Sequence, residues 1–272
     1  MNKSKQTEIT VHSRVTSPIE QKSHLRRSLL FAELASLSYY DEVIVGPVAE
    51  SIGLTSVRFF DRDGAQAYLL WNDTDCVVAC RGTEPHEWND IKADANAVAV
   101  VTETLGKVHK GFNDEVNDLW PMLEDALVAN QKTLWFCGHS LGGAMATICA
   151  GRCYLSEIKS TPRALFTYGS PRVGDKQFVN FVKLDHSRWV NNNDIVRRVP
   201  PAWMGSRHAG VEYYLNRFGR LQKINGILRV RDRIRGFLGG LLQFRIDQFS
   251  DHSIDRYVEY ILTELQAEEG GA

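Results

Sequence analysis

Apolar residues along the chain recur with two periods, and the change from one to the other marks out the elements. Leu25, Leu29, Leu30, Ala32, Leu34, Ala35 and Leu37 follow helical spacing, which predicts a helix over 24–40. Short runs rich in β-branched and aromatic residues at 57–60 and 68–71 flank a turn at 61–64, as expected of paired strands. Continuous apolar runs at 76–80, 133–137 and 165–168 have the character of strands buried on both faces, and a shorter run lies at 189–190. A helical stretch covers 111–131, with Pro121 inside it expected to kink or restart the helix. Helices are also expected over 141–156 and 253–266, the last with Ile254, Tyr257, Val258, Ile261, Leu262 and Leu265 on one face, and a shorter one over 178–184. Strands alternating with helices predict an α/β fold: a mainly parallel central sheet with helices on both faces.

The 272 residues, 43% of them hydrophobic, are enough for one sizeable core, so 21–272 is expected to be a single domain, with 1–20 a flexible N-terminal tail. A net charge of −1 offers no overall field to attract nucleic acid. No apolar run is long enough to span a bilayer, so any membrane contact is expected to be peripheral. Cys76, Cys80, Cys137, Cys149 and Cys153 are odd in number and fit no disulfide framework. They are expected to be buried as small hydrophobes, which suits a reducing compartment. The polar start of the chain has no apolar segment of the secretory kind, and a cytoplasmic location is expected.

Between the run at 133–137 and the Ala-rich helix lies Gly138-His139-Ser140-Leu141-Gly142, followed by Gly143. This is the G-x-S-x-G pattern in the strand-turn-helix setting it needs. A sharp turn there lifts the Ser140 hydroxyl out at the carboxyl edge of the sheet, and the helix start offers free N–H groups to an oxyanion. A serine nucleophile needs a base, and the base needs a carboxylate to orient it. In this fold the chain order is serine, acid, histidine, which leaves His186, His208 and His252 as candidate bases. His139 adjoins the nucleophile, and its side chain is expected to point away from the hydroxyl. Asp194 lies just past a strand in an Asn-rich turn and is the favoured acid, with Asp175 and Asp185 as rivals. No metal or other cofactor is expected, because the histidines and cysteines show no ligand spacing and the chain has no phosphate loop or dinucleotide fingerprint.

Several segments in order resemble the class 3, fungal-type lipases, which have the α/β-hydrolase fold. They are Ser36-Leu37-Ser38-Tyr39-Tyr40, Val78-Ala79-Cys80-Arg81-Gly82-Thr83, Val108-His109-Lys110-Gly111-Phe112, the 138–144 elbow, Thr167 to Asp175, and Asn193-Asp194-Ile195-Val196 with Val199-Pro200-Pro201. The resemblance implies a Ser140, Asp194 and His252 triad, with an oxyanion hole from Thr83 and Leu141. It implies a carboxylester hydrolase acting on acylglycerol esters. A phospholipase A1 or an esterase for more polar substrates is the alternative on the same site, and a non-catalytic membrane-binding protein is a remoter one.

The chain departs from the family pattern in two places. The segment after Thr83, where fungal enzymes carry an apolar lid, is mostly polar here, with only Trp88 and Ile91 as apolar anchors. The stretch 216–248 is basic at first and then apolar, and is expected to be an insertion that forms a lid or touches a lipid–water interface.

Overall fold

The computed structural model describes residues 9–82, 99–101, 105–182, 184–192, 194–222 and 251–271. In chain order the helices are α1 (His24–Leu37), α2 (Glu42–Ile52), α3 (Lys110–Leu127), α4 (Leu141–Arg152), α5 (Lys176–Phe181) and α6 (Ile254–Gly270). The strands are β1 (Ser56–Arg62), β2 (Ala65–Trp71), β3 (Asp75–Cys80), β4 (Ala99–Val101), β5 (Lys107–His109), β6 (Thr133–His139), β7 (Pro162–Tyr168), β8 (His186–Asn191), β9 (Val211–Leu215) and β10 (Leu221–Gln222).

Eight strands form one sheet in the order β1-β2-β3-β6-β7-β8-β9-β10. From β3 to β9 neighbouring strands are parallel, and the antiparallel pairs lie at the two edges. Composition explains the division. The central strands are apolar on both faces and need helices over each. The β1–β2 edge is closed by Asp63-Gly64, both at positive φ (52° and 92°), the two-residue turn that suits strand twist.

One core lies under α3 and α4, with Phe112, Leu119, Phe136, Met145 and Leu165 buried together. The other lies under α1 and α6, around Phe31, Trp135, Phe166, Trp189 and Tyr257. Each such side chain contributes about 1.5–3 kcal/mol by leaving water. All twelve residues of α4 are buried, so it carries no amphipathic stripe. The five cysteines are buried free thiols.

Four expectations change. Of the loose tail expected over 1–20, residues 9–20 are docked. Val15 and Ile19 are buried, Val15 N donates to Ile52 O at 2.6 Å, and the Glu33 carboxylate accepts from His12 N (2.6 Å) and Ser13 N (3.1 Å). The partners are remote in sequence, so no local pattern announces them. Gly53, at φ 95°, leaves no room for a Cβ, which would fall 2.4 Å from Val15 O. Helix α2 was not anticipated, and its β-branched residues, Gly46 and Pro47 have poor helix propensity; Asp41 and Gly53 bound it. Helix α3 does not restart at Pro121 but continues through it, held by a buried face of Leu119, Trp120, Leu123 and Leu127. Residues 216–222, expected to begin the insertion, instead make the turn and second strand of the β9–β10 hairpin; 223–248 fall outside the described residues.

The docked segment hangs on Asp75, a fully buried carboxylate that accepts from Ile19 N at 3.1 Å, Trp135 Nε1 at 2.8 Å and Thr74 Oγ1 at 2.8 Å. Asp75→Ala strands the first two donors, and urea unfolding should show a loss of about 3 kcal/mol or more. A loss below about 0.5 kcal/mol would mean that Asp75 does not anchor residues 9–20.

Candidate active site

Strand β6 ends at His139, and the chain turns into α4 through Ser140, whose φ of 59° and ψ of −129° are unfavourable for any residue with a side chain. Backbone contacts impose them. Ser140 N donates to Tyr168 O at 2.9 Å, and Gly143 N to Ser140 O at 3.0 Å. A Cβ at Gly138 would fall 2.2 Å from Gly142 O, and one at Gly142 would fall 2.2 Å from Cys80 O. The glycines are therefore a packing requirement of the turn.

His252 stands directly before α6. Its Nε2 is 2.8 Å from Ser140 Oγ, and its Nδ1 is 2.9 Å and 3.0 Å from the two Asp194 oxygens. A carboxylate accepts only, so Nδ1 carries the proton and Nε2 is free to accept from the hydroxyl. Asp194 leaves β8 in a turn of its own making, its Oδ1 accepting from Val196 N at 2.9 Å. Oδ2 accepts from the Tyr257 hydroxyl at 2.7 Å, and that hydroxyl accepts from Asn191 N at 3.0 Å. Ser140, Asp194 and His252 are all buried. Burial first, and then the charge of Asp194 and the hydrogen bond to it, push the Tyr257 phenol well above its ordinary range and keep it a neutral donor.

The rival residues lie in other settings. His186 Nε2 is 2.8 Å from Thr167 Oγ1, and burial with the Arg188 charge pushes the ring down to about 3. His208 Nε2 donates to Arg197 O at 2.9 Å, and burial with the charges of Arg188 and Arg172 pushes it to about 2. Asp175 caps α5 by accepting from Phe178 N at 2.9 Å, which starts that helix two residues earlier than expected. Asp185 faces Arg163 at 4.0 Å on the surface.

Of the oxyanion candidates, Leu141 is the first residue of α4, where N–H groups have no intrahelical acceptor. Thr83 lies outside the described residues. Gly82 before it runs beside the elbow, since a Cβ there would be 3.2 Å from Ser140 Cβ.

Sequence reasoning passed over three members of the site. Tyr257 was assigned to an apolar helix face, which is right for its ring and silent about its hydroxyl. Gly169, at φ 58°, leaves no room for a side chain: a Cβ would fall 2.6 Å from Asp194 Oδ2 and 2.9 Å from His252 Nδ1. His139, expected only to point away from the hydroxyl, bonds to the His252 main chain.

The sequence model of the Lipase (class 3) family matches residues 77–204. The lipase of Rhizomucor miehei is 40% identical over 119 residues, covering 40% of this chain and 33% of that protein. Toxin TseL of Vibrio cholerae is 28% identical over 195 residues, covering 56% of this chain and 30% of the toxin. The matches thus span about a third of the length of these curated relatives. Among solved structures, a deletion mutant of the Rhizomucor miehei lipase in complex with its propeptide superposes with a TM-score of 0.63 at 28% identity, covering 72% of this chain and 68% of that one. The fold is that of the α/β-hydrolase lipases, and the resemblance to class 3 lipases holds across the elbow and the Asp194 segment.

Two outcomes follow from the geometry. Gly169→Ala should slow labelling of Ser140 by a serine-directed phosphonate about 100-fold, through displacement of Asp194 and His252; labelling at the native rate would show that the Gly169 contact does not govern the site. Stability should also depend on acid pH. Burial holds His186 at about 3 in the folded state, below the ordinary histidine value of 6.5, so the unfolded chain takes up the proton first. That contribution is complete above pH 6.5 and is lost as pH falls towards 3, and chemical unfolding of native and His186→Gln protein across this window should show a shallower acid loss in the variant.

Proposed function

We propose that this chain is a carboxylester hydrolase that cleaves acylglycerol-type lipid esters through an acyl-enzyme on Ser140, with His252 as base and Asp194 as its orienting acid. One observation carries the reading: an unbroken hydrogen-bonded line from Ser140 Oγ through both nitrogens of His252 to a buried carboxylate. Such a line is the arrangement that makes a serine hydroxyl nucleophilic at neutral pH.

In the proposed reaction the ester carbonyl is attacked by Ser140 Oγ as its proton passes to His252 Nε2, and Asp194 stabilises the imidazolium. The oxyanion is received by the Leu141 N–H and, by resemblance to the family, by the N–H and hydroxyl of Thr83. Losing one such donor costs about 10²–10³-fold in rate. The carbon–oxygen bond to the alcohol breaks as His252 returns its proton to the leaving oxygen. Water, deprotonated by His252, then attacks the acyl-enzyme, and the acid is released as Ser140 recovers its proton.

Lipid esters are favoured because the family model that matches is that of class 3 lipases and the similar protein of Rhizomucor miehei is a lipase. Contact with a lipid–water interface belongs to the same proposal. Trp203 stands 84% exposed on the turn that follows the Asp194 loop, and Arg198 and Arg207 beside it in sequence are exposed. An exposed indole with exposed arginines a few residues to either side suits a headgroup layer.

Ser140→Ala should lower turnover of a nitrophenyl ester by about 10⁶-fold while the melting profile stays native. His252→Ala should come close to that loss, whereas His208→Ala should keep substantial activity. Loss of activity in His208→Ala with retention in His252→Ala would overturn the choice of base. Triglyceride, diglyceride and phospholipid emulsions assayed side by side test the substrate class. Faster release from a phospholipid sn-1 ester than from any acylglycerol would replace the lipase reading by a phospholipase A1 one.

A further inference from the structure

His139 is not one of the three residues Ser140, Asp194 and His252, yet it lies against His252. Its Nε2 is 2.7 Å from the main-chain oxygen of His252, and its Nδ1 is 2.8 Å from the Tyr39 hydroxyl. A carbonyl oxygen accepts only, so Nε2 carries the proton. A neutral imidazole has one proton, so Nδ1 must accept from the Tyr39 O–H. The two bonds define each other's direction, and both run toward the base.

The surroundings favour this one tautomer. His139 is buried with its ring centre 4.6 Å from that of His252. Burial first, and the adjacent His252 second, push the His139 ring well below the ordinary histidine range. It therefore stays neutral when His252 becomes a cation during the reaction, and no second positive charge opposes that step. Tyr39 sits at a junction. A Cβ at Gly82 would fall 2.3 Å from the Tyr39 hydroxyl, 2.6 Å from His139 O and 3.2 Å from Ser140 Cβ. The Arg81 guanidinium lies 5.8 Å from the Tyr39 ring centre. The hydroxyl is thus next to the chain leaving β3, to the elbow and, through His139, to the loop carrying His252.

We infer that Tyr39 and His139 are positioning residues for the base: the bonds from Tyr39 O–H to His139 Nδ1, and from His139 Nε2–H to the His252 carbonyl, hold the His252 main chain so that its ring stays in line with Ser140 Oγ. This rests on the reading of Ser140, His252 and Asp194 as a catalytic triad. Asp194 holds the far side of the imidazole through its ring nitrogen, while His139 holds the peptide from which the ring projects. Both restraints are needed because small displacements of a reacting group lower rates steeply, by as much as about 100-fold for 1 Å.

Tyr39→Phe, His139→Leu and His139→Gln separate positioning from mere packing. A glutamine amide reaches about as far as Nε2 and can donate to the same carbonyl; leucine fills the space and cannot. On a short-chain nitrophenyl ester, Tyr39→Phe and His139→Leu should lower kcat about tenfold with KM within about twofold of native, and His139→Gln should recover most of the loss. Thermal melts accompany each. If His139→Leu does not fold, Tyr39→Phe, which removes one oxygen, decides by the same criterion. A kcat within about twofold of native in the folded variants, or a glutamine variant no better than leucine, overturns the inference. Native protein that neither hydrolyses ester nor takes a phosphonate on Ser140 overturns the hydrolase reading and this inference with it. Native protein that labels, with variants that match it, overturns this inference alone.

Discussion

The strained turn at Ser140 is the constraint on which the other parts of the site depend. A φ of 59° costs about 1–3 kcal/mol for a residue with a side chain, and it persists only where the surroundings leave no alternative. Here they are main-chain atoms. The turn is tied on one side to β7 through Tyr168 O, and the first turn of α4 packs against the end of β3 so closely that Gly142 has no room for a Cβ. Moving the hydroxyl would therefore mean moving three central strands. The strain is met by the most deeply buried part of the fold, where the apolar residues of β3, β6 and β7 fill both cores.

His252, the proposed base, is held differently, because no strand carries it. His252 comes from a loop, and its place is set by three groups of polar contacts. Asn191 Nδ2 donates to Asp251 O at 2.9 Å, His139 bonds to its carbonyl, and Asp194 holds its ring. One turn into α6, Tyr257 reaches back to the same carboxylate. The apolar face of α6 thus does two things. It packs Ile254, Tyr257, Ile261 and Leu265 into the core beneath α1, and it brings one hydroxyl to Asp194. Helix α1 joins the arrangement at its end, where Tyr39 bonds to His139. Ser140 stands at the end of a sheet strand and His252 just ahead of a helix, and side-chain hydrogen bonds join the two.

How far this was legible from sequence follows from the range of each interaction. The central strands were found because burial on both faces leaves continuous apolar runs. The elbow was found because its steric demands fall within five consecutive residues. Asp194 and His252 could be narrowed by chain order, but the choice between His208 and His252 came from resemblance, since nothing local separates one loop histidine from another. What separates them in space is the company each keeps: His208 donates to a carbonyl among arginines, whereas His252 lies between a hydroxyl and a carboxylate. The docking of residues 9–20 was missed for a related reason. A polar stretch is ordered there by carboxylates at 33 and 75, and amide donors leave no mark in an amino-acid pattern. Helix α2 was missed because packing of Val45, Ala49 and Ile52 overrides poor local propensity.

Residues legible as core and residues of the site prove to be the same residues at different atoms. Tyr257 and Tyr168 are buried rings by pattern, yet the hydroxyl of the first bonds to Asp194 and the carbonyl of the second receives the Ser140 N–H. An apolar residue placed at 257 would satisfy the helix periodicity and leave the carboxylate one donor short. Asp194 would then keep only Val196 N and His252 as partners among the bonds described. A buried carboxylate that loses a donor becomes less favourable as an anion, and the anion is what steadies the imidazolium. Hydrophobic pattern thus decides where such a ring sits. Its polar atom decides whether the site beneath it can hold charge, and on the proposed function that second property separates a packed α/β sheet from one able to cleave an ester.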